Sequence, residues 1–413
     1  MMNIAATSTS FTYTCPQDAV QAFIAKLKPV DEVQVPLERA SGLILSRSVG
    51  ADRDSPPHDV SAMDGYAIRM DQIDATGTVL EVIDEIAIGQ PAKPMPRTGC
   101  LKISTGACVP GGCDGIVPRE KVDEKQGRIV IPAGLSFKQG QHIRRRGENI
   151  RRGSAVLTQG TPITGPAASA LAAFGHKHVW VHRPVRVALL TTGNELMPVD
   201  SNPAEWQIRD SNSAALQTGL SAVPWIAMTS IQRISDDLDA ISDALATQAQ
   251  VADLIITTGG VSMGDHDYLR PALINRGGQV IYHKLPIRPG KPSLGGLIRN
   301  NTDACDVPVL ALPGNPVAVV VGLSLFVSPV ARALAGHRQS VAVRPRVEII
   351  NPPVSSLNLW HYLPAKLIEP GRAEVIKTLG SGDLVGAATA DGFVEIPPGA
   401  QGRGPWLFYD ATL

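Results

Sequence analysis

The chain is 413 residues long and 44% hydrophobic, with 38 basic and 38 acidic side chains. At roughly 100–200 residues per domain this length predicts two to four domains, each able to bury its own core. A formal net charge of zero excludes a general nucleic-acid or anionic-membrane binder, which needs a surplus of positive charge.

The N-terminus, MMNIAATSTSFTYT, lacks both a positively charged start and a long apolar stretch. No signal peptide is read there, and a cytoplasmic protein is expected. Cys15 to Lys28 predicts a short helix opened by Cys15–Pro16, with Ala19, Val20, Phe23, Ile24 and Leu27 on one face. A second amphipathic stretch runs from Leu37 to Val49, followed by the Pro-rich break DSPPHDVSAMDG at 54–65. Residues 66–135 hold short apolar runs such as TVLEVIDEIAI and RIVIPAG between glycines and prolines, the pattern of a small β-rich domain. GTPITGPAASALAAFG (160–175) reads as a loop and a helix of small residues, suited to close helix contact and so to a dimer.

From Pro184 the pattern changes. VRVALLTT (185–192), ADLIITTGG (252–260) and VPVLALPGN (307–315) are nearly continuous apolar runs, as expected of parallel strands covered on both faces. Each ends in a polar Gly-containing turn and is followed by a helical-looking segment. Strands and helices alternating over about 150 residues predict an open α/β layer. The most apolar run, Val317 to Ser328, lies between Pro316 and Pro329. It falls short of the ~20 residues a membrane span requires and reads as a buried helix. After Gly336, PRVEII, AEVIKTL and GFVEIPPG predict a small terminal β domain. The five cysteines (15, 100, 108, 113, 305) form no CxxC pair, so neither a disulfide framework nor a structural zinc site is expected.

In open α/β sheets ligands bind at the carboxyl ends of the strands, where helix N-termini present free N–H groups. The turns TTGNEL (191–196), TTGGVSMGDHD (257–267) and LPGNP (312–316) therefore define a candidate anion site. In them Gly193, Gly259, Gly260 and Gly314 allow close backbone approach, with Ser262 and Asn315 as polar neighbours. Glycines that merely end strands are the competing reading for any one turn. A helix terminus contributes only ~0.3–1 kcal/mol to an anion, so cations are needed as well. HKLPIRPGKP (283–292) supplies Lys284, Arg288 and Lys291, stiffened by Pro286, Pro289 and Pro292.

Carboxylates complicate the site. Glu195, Asp265 and Asp267 fall inside these turns, and two like charges at 4 Å cost about 4 kcal/mol at an effective dielectric of 20. A divalent cation, Mg²⁺ being the usual one beside phosphates, removes the conflict. Helix capping competes as an explanation for Asp265, Asp210 and Asp236. In the β-rich region, Asp64 within SAMDGYA and Ser104–Thr105 within KISTGA sit at candidate turns. HIRRRGENIRRG (142–153) is arginine-rich without an aromatic. It suits a phosphorylated small molecule or a salt-bridge cluster between protomers better than a nucleic acid. His176, His178 and His182 alternate as in a strand, and nothing else supports metal ligation there.

The ordered set SPPHDVSAMDGYA, KISTGA, IRRRGENI, LLTTGNEL, DSN, DLIITTGGVSMGDHD, IRPGKP and LPGNPVA resembles the molybdopterin molybdenumtransferase (MoeA-type) family, from about residue 15 to the C-terminus. The resemblance implies a multidomain α/β fold: a split helical dimerisation domain (15–53 and 154–183), a β-rich insertion (54–153), a central open α/β domain (184–336) and a C-terminal β-barrel (337–413). It implies the last step of molybdenum-cofactor assembly, in which adenylylated molybdopterin and molybdate react with Mg²⁺-dependent release of AMP. It also implies a homodimer whose active site is shared between protomers. Contact with the adenylyltransferase and with molybdoenzyme apoproteins is implied too; no nucleic acid or membrane partner is expected.

Carried over residue by residue, the family's functional positions fall on Asp64, Thr105 and Glu195 as catalytic groups. Ser104, Lys284, Arg288 and Lys291 fall among the substrate-binding groups, and Glu195, Asp236 and Asp267 on the metal ligands. Three positions depart from the family's habit: Asn149 and Asn194 stand where it often has Asp, and Arg288 where it often has Lys. Asn keeps a carbonyl ligand but loses a charge, which weakens metal affinity. The preceding adenylylation step usually goes with a GGTG loop where this chain reads GGVSMG. A non-catalytic scaffold need not keep the charged cleft.

Overall fold

A computed structural model describes residues 11–261, 267–300, 306–353, 357–380 and 382–411. Ser262 and Asp265 lie outside the described residues. The chain forms two compact units. One comprises Met1–Arg47, Gln159–Ala168 and Lys177–Leu413, the other Ser48–Thr158 and Ser169–His176.

The first unit is built on a six-stranded sheet. In chain order its elements are β1 (Val185–Thr192), α1 (Ser211–Ser221), β2 (Ile226–Ile234), α2 (Leu238–Gln248), β3 (Leu254–Thr258), α3 (Leu269–Asn275), β4 (Gln279–His283), β5 (Leu294–Arg299), β6 (Asp306–Leu312) and the long helix α4 (Pro316–Leu334). The strand order is β2-β1-β3-β6-β5-β4. The three apolar runs read from sequence pair in parallel, as expected, with β2 beside them. The sheet is nonetheless mixed, because β5 runs antiparallel to β6 and β4 antiparallel to β5. No apolar run marks β2, since it lies at the sheet edge and most of its residues remain partly or fully exposed.

Side chains that alternate along β1, β3 and β6, such as Ala188, Leu190, Ile255, Val309 and Ala311, bury against Ile241 and Leu245 of α2 and Leu269 and Leu273 of α3. Helix α4 is 83% buried, so its length and apolarity reflect a core position. It does not stop at Pro329. A π-helical turn over Leu323–Val327 widens the helix there, relieving the clash of a proline ring with the preceding turn. The carbonyl of Ser324 accepts a hydrogen bond from Arg344 Nη2 at 2.8 Å instead.

The terminal β domain is a closed barrel. Trp360–Glu369 pairs with both Arg372–Val375 and Gly392–Ile396, and Arg346–Ile349 and Trp406–Asp410 complete the ring around Val347, Ala365, Val394 and Phe408. The N-terminal helix is shorter than the sequence suggested, spanning Pro16–Ile24. Leu37–Val49 contains only the 3-10 turn Leu37–Arg39 and short extended pieces.

The second unit holds another six-stranded sheet, ordered Gly115–Pro118, Gly65–Ile68, Cys100–Ile103, Thr78–Ile86, Arg128–Ile131 and Asp123–Lys125. Tyr66, Ile68, Leu80, Val117 and Ile129 fill its core.

Candidate functional site

The strand ends of the central sheet are level. Thr191 lies opposite Thr258, and Thr258 opposite Leu312, so the chain leaves the sheet at neighbouring points on one edge. Gly259 N–H donates to Leu312 O at 3.1 Å. Gly259 must be glycine: its φ is +79°, and a Cβ would meet Thr192 O at 2.4 Å. A Cβ on Gly314 would stand 3.7 Å from Gly259 Cα. The three turns thus touch, at the carboxyl edge where the crossing from β2 to β3 passes over β1 and creates a switch point.

Asp210 caps α1 by accepting from Ser213 N–H at 3.0 Å and from Ser213 Oγ at 2.6 Å. Asn212, buried in the first turn of α1, donates from Nδ2 to Gly314 O at 2.8 Å. It fixes the third turn to the first helix. The DSN motif contained this residue, but only the tertiary contact reveals its role. Asn315 takes the N-cap position of α4.

Because β5 is antiparallel, its first residue Leu294 lies opposite both Ala311 of β6 and His283 of β4. The loop joining β4 to β5, which carries Lys284, Arg288 and Lys291, therefore emerges at the same edge. The loop is well braced. Lys284 N–H donates to Ser293 O (3.1 Å), Leu285 N–H to Lys291 O (2.9 Å) and Ser293 Oγ to Gly290 O (2.7 Å). Ile287–Arg288 also adds a parallel edge to the barrel strand at Trp360–His361. Among the described residues none of the three cations has a carboxylate partner. Lys291 Nζ instead stands 5.4 Å over the Phe11 ring. Arg288 is exposed, and its charge together with burial pushes the His361 imidazole down to about 4, burial being the larger cause.

The acids divide. Glu195 is exposed, and a Cβ on Gly193 would lie 3.0 Å from Glu195 Oε2, so the carboxylate folds back over the end of β1. Asp237, not Asp236, caps α2, accepting from Asp239 and Ala240 N–H. Asp236 remains two residues beyond the end of β2, which is level with Thr192. Asp267 Oδ2 stands 3.3 Å from His283 Nε2, while its Oδ1 is buried with no hydrogen-bond partner among the described residues. Among the described residues no three His, Cys, Asp or Glu side chains converge to hold a metal ion. Glu195, Asp236 and Asp267 share an edge without forming a cage.

In the second unit Asp64 and Thr105 meet. Asp64 Oδ1 accepts from Thr105 N–H at 2.7 Å and from Thr105 Oγ1 at 2.8 Å. These hydrogen bonds, then the charge of Arg119, hold the Asp64 carboxyl below the usual carboxylate range. Both residues are exposed, and Ser104 beside them is half-buried. Arg119 was not singled out from sequence; its N–H donates to Asp64 O at 2.9 Å.

In the arginine-rich segment three guanidinium groups pair within the chain. Arg144 pairs with Glu148, Arg145 with Asp59 and Arg146 with Asp54, the last two at 2.6 Å. It is stapled within its own chain. Asn149 belongs to the staple, accepting from Arg144 Nη2 at 2.6 Å. Of the three histidines, His182 Nδ1 lies 2.6 Å from Val30 O and His176 Nε2 2.9 Å from Gly50 O.

Comparison with known proteins assigns the chain to a family. Residues 15–175 match the family model described as the MoeA N-terminal region (domain I and II), and residues 188–333 one described as a probable molybdopterin binding domain. The molybdopterin molybdenumtransferase of Synechococcus elongatus is 31% identical over 94% of this chain and 96% of its own length. That of Bacillus subtilis is 34% identical over 72% of this chain and 69% of its own length. The crystal structure of the molybdopterin biosynthesis moeA protein from Pyrococcus horikoshii superposes with a TM-score of 0.79 at 26% identity, covering 95% of this chain and 98% of that one. This chain belongs to the MoeA-type molybdopterin molybdenumtransferase family.

Proposed function

We propose that the chain transfers molybdenum from molybdate to adenylylated molybdopterin and releases AMP, the closing step of molybdenum-cofactor assembly. The observation that carries this reading is the basic loop at the strand-end edge. In a chain of this family, three cations without carboxylate partners among the described residues stand beside glycine turns that accept close backbone approach. Free N–H groups at the turns and the ends of Lys284, Arg288 and Lys291 bind the phosphates and the incoming molybdate. Each charge-assisted hydrogen bond contributes about 1.5–3 kcal/mol. Cleavage of a phosphoanhydride needs little from a protein nucleophile; positioned charge does most of the work.

Glu195, Asp236 and Asp267 would hold Mg²⁺. The donor set fits it, because Asp267 Oδ1 is a buried oxygen lacking a hydrogen-bond partner among the described residues. The ion takes oxygen ligands and keeps waters and phosphate oxygens in most of its shell, so no protein cage is required. When bound it neutralises charge between the carboxylates and the anhydride. Asp64, held ionised by Thr105, orients the reacting phosphates. We assign it to the site of the partner protomer in a homodimer, together with the four-domain division given above. Molybdopterin is the pterin bound, and the adenylyltransferase and acceptor apoproteins are its proposed partners.

Molybdate-dependent AMP release, measured with and without Mg²⁺, tests the reading. Asp64→Ala and Glu195→Ala abolish release while the melting temperature holds. Accumulation of adenylylated pterin from ATP without molybdate overturns the proposal.

A further inference from the structure

We infer that Cys108 and His58 form a thiol–imidazole pair that makes Cys108 a site of reversible modification by low-molecular-weight disulfides. Cys108 Sγ lies 2.7 Å from His58 Nε2. A short backbone ladder sets the two residues against each other. Val109 N–H donates to Asp59 O at 2.9 Å, Ser61 N–H to Ala107 O at 3.0 Å and Gly106 N–H to Ser61 O at 2.8 Å, with Val60 bridged to Cys108. Asp59, next to His58, is itself anchored by Arg145 and by the N–H of Arg146.

The pair opens onto a cavity of about 610 Å³ bounded also by Gly89, Gln90, Pro91 and Val109. No carboxylate is among the described residues that line it. The other described cysteines lack this arrangement. Burial pushes the Cys100 thiol up to about 12 and also raises that of Cys113. Cys15 donates to Gln17 Oε1 at 2.8 Å, an amide oxygen that does not take the proton away.

The exchange needs no further reagent. His58 Nε2 takes the thiol proton, and the Cys108 sulfur attacks one sulfur of the incoming disulfide. The S–S bond of that disulfide breaks, and the departing thiolate is protonated by the His58 imidazolium. Cys108 ends oxidised in a mixed disulfide, and half of the small disulfide ends reduced as a free thiol. Thr105, which holds Asp64, belongs to the same turn, and Gly106 lines the cavity. An adduct there bears directly on the Asp64 loop. The modification itself does not depend on the pterin reading.

The test uses the full chain and 5,5′-dithiobis(2-nitrobenzoate) at about pH 6.5, with peptide mapping by mass spectrometry. The first equivalent of label is expected on Cys108, and Cys108→Ser removes the fast phase. His58→Gln slows labelling roughly tenfold, and the difference disappears near pH 9, where an isolated thiol ionises unaided. Glutathione disulfide forms the corresponding adduct, reversed by dithiothreitol. Fast label on Cys305 or any other cysteine overturns the inference. So does a His58→Gln variant that labels at the rate of the unsubstituted protein.

Discussion

Two basic segments of similar composition have opposite electrostatic fates. In residues 142–153 the guanidinium groups of Arg144, Arg145 and Arg146 all find carboxylates of the same chain. In residues 283–292 no cation finds one among the described residues, although the loop is braced by its own hydrogen bonds. A cation that already has an acid partner stabilises local structure and has little field left for a ligand. A cation fixed in place without one keeps its field for an incoming anion. Basic residues in a sequence therefore do not define an anion site until their partners are known.

The largest effect expected from this contrast follows from the unpaired side. Lys284→Ala or Lys291→Ala lowers kcat/KM for AMP release about 10- to 100-fold, the equivalent of about 1.5–3 kcal/mol, with an unchanged melting temperature. Arg146→Ala does the reverse: melting temperature falls and KM stays put. Equal losses of activity from both kinds of variant break the contrast.

A smaller effect concerns acid. The N–H of Arg152, followed by the Arg146 guanidinium, holds the Asp54 carboxyl below its ordinary range. For Asp59 burial acts in the opposite direction, but the hydrogen bonds of Arg146 N–H and Arg145 overcome it and the value is again lowered. The stability these acids contribute is complete above the ordinary aspartate pKa of about 3.9. It is lost as pH falls through their lowered folded values. Melting curves over this range lose part of their slope in Asp54→Asn, Asp59→Asn. A double variant as acid-sensitive as the unsubstituted chain rules the staple out.

The smallest effect is local. His361 is held near 4 by burial and by Arg288, so inorganic phosphate bound at Arg288 offsets that charge and raises the His361 value in an NMR titration. Arg288→Ala raises it without phosphate. A His361 titration indifferent to phosphate removes Arg288 from the anion site.

Much of the candidate site could be named before any fold was known. Strand ends at Thr192 and Thr258 followed from apolar runs that stop at a glycine. Lys284, Arg288 and Lys291 stood out because prolines crowd around them. Asp64 and Thr105 were identified as separate motifs, but their contact joins residues 41 apart in sequence. Asp237 rather than Asp236 caps α2, a choice set by backbone angles that neighbouring aspartates do not advertise. The barrel strand Trp360–Glu369 escaped notice because its second half is exposed and breaks the apolar pattern.

The sequence by itself determined the kinds of element, the glycine turns and the supply of charge. These depend on side-chain type and on spacings of a few residues, which local sterics and hydrophobic period already constrain. Only the tertiary structure decided which strand ends stand level, that β4 and β5 turn the basic loop toward the glycine turns, and that Arg146 pairs with Asp54 from 92 residues away. Coulomb interaction falls with distance and is screened beyond about 8–10 Å in salt, so the function of a charge depends on neighbours that folding alone supplies.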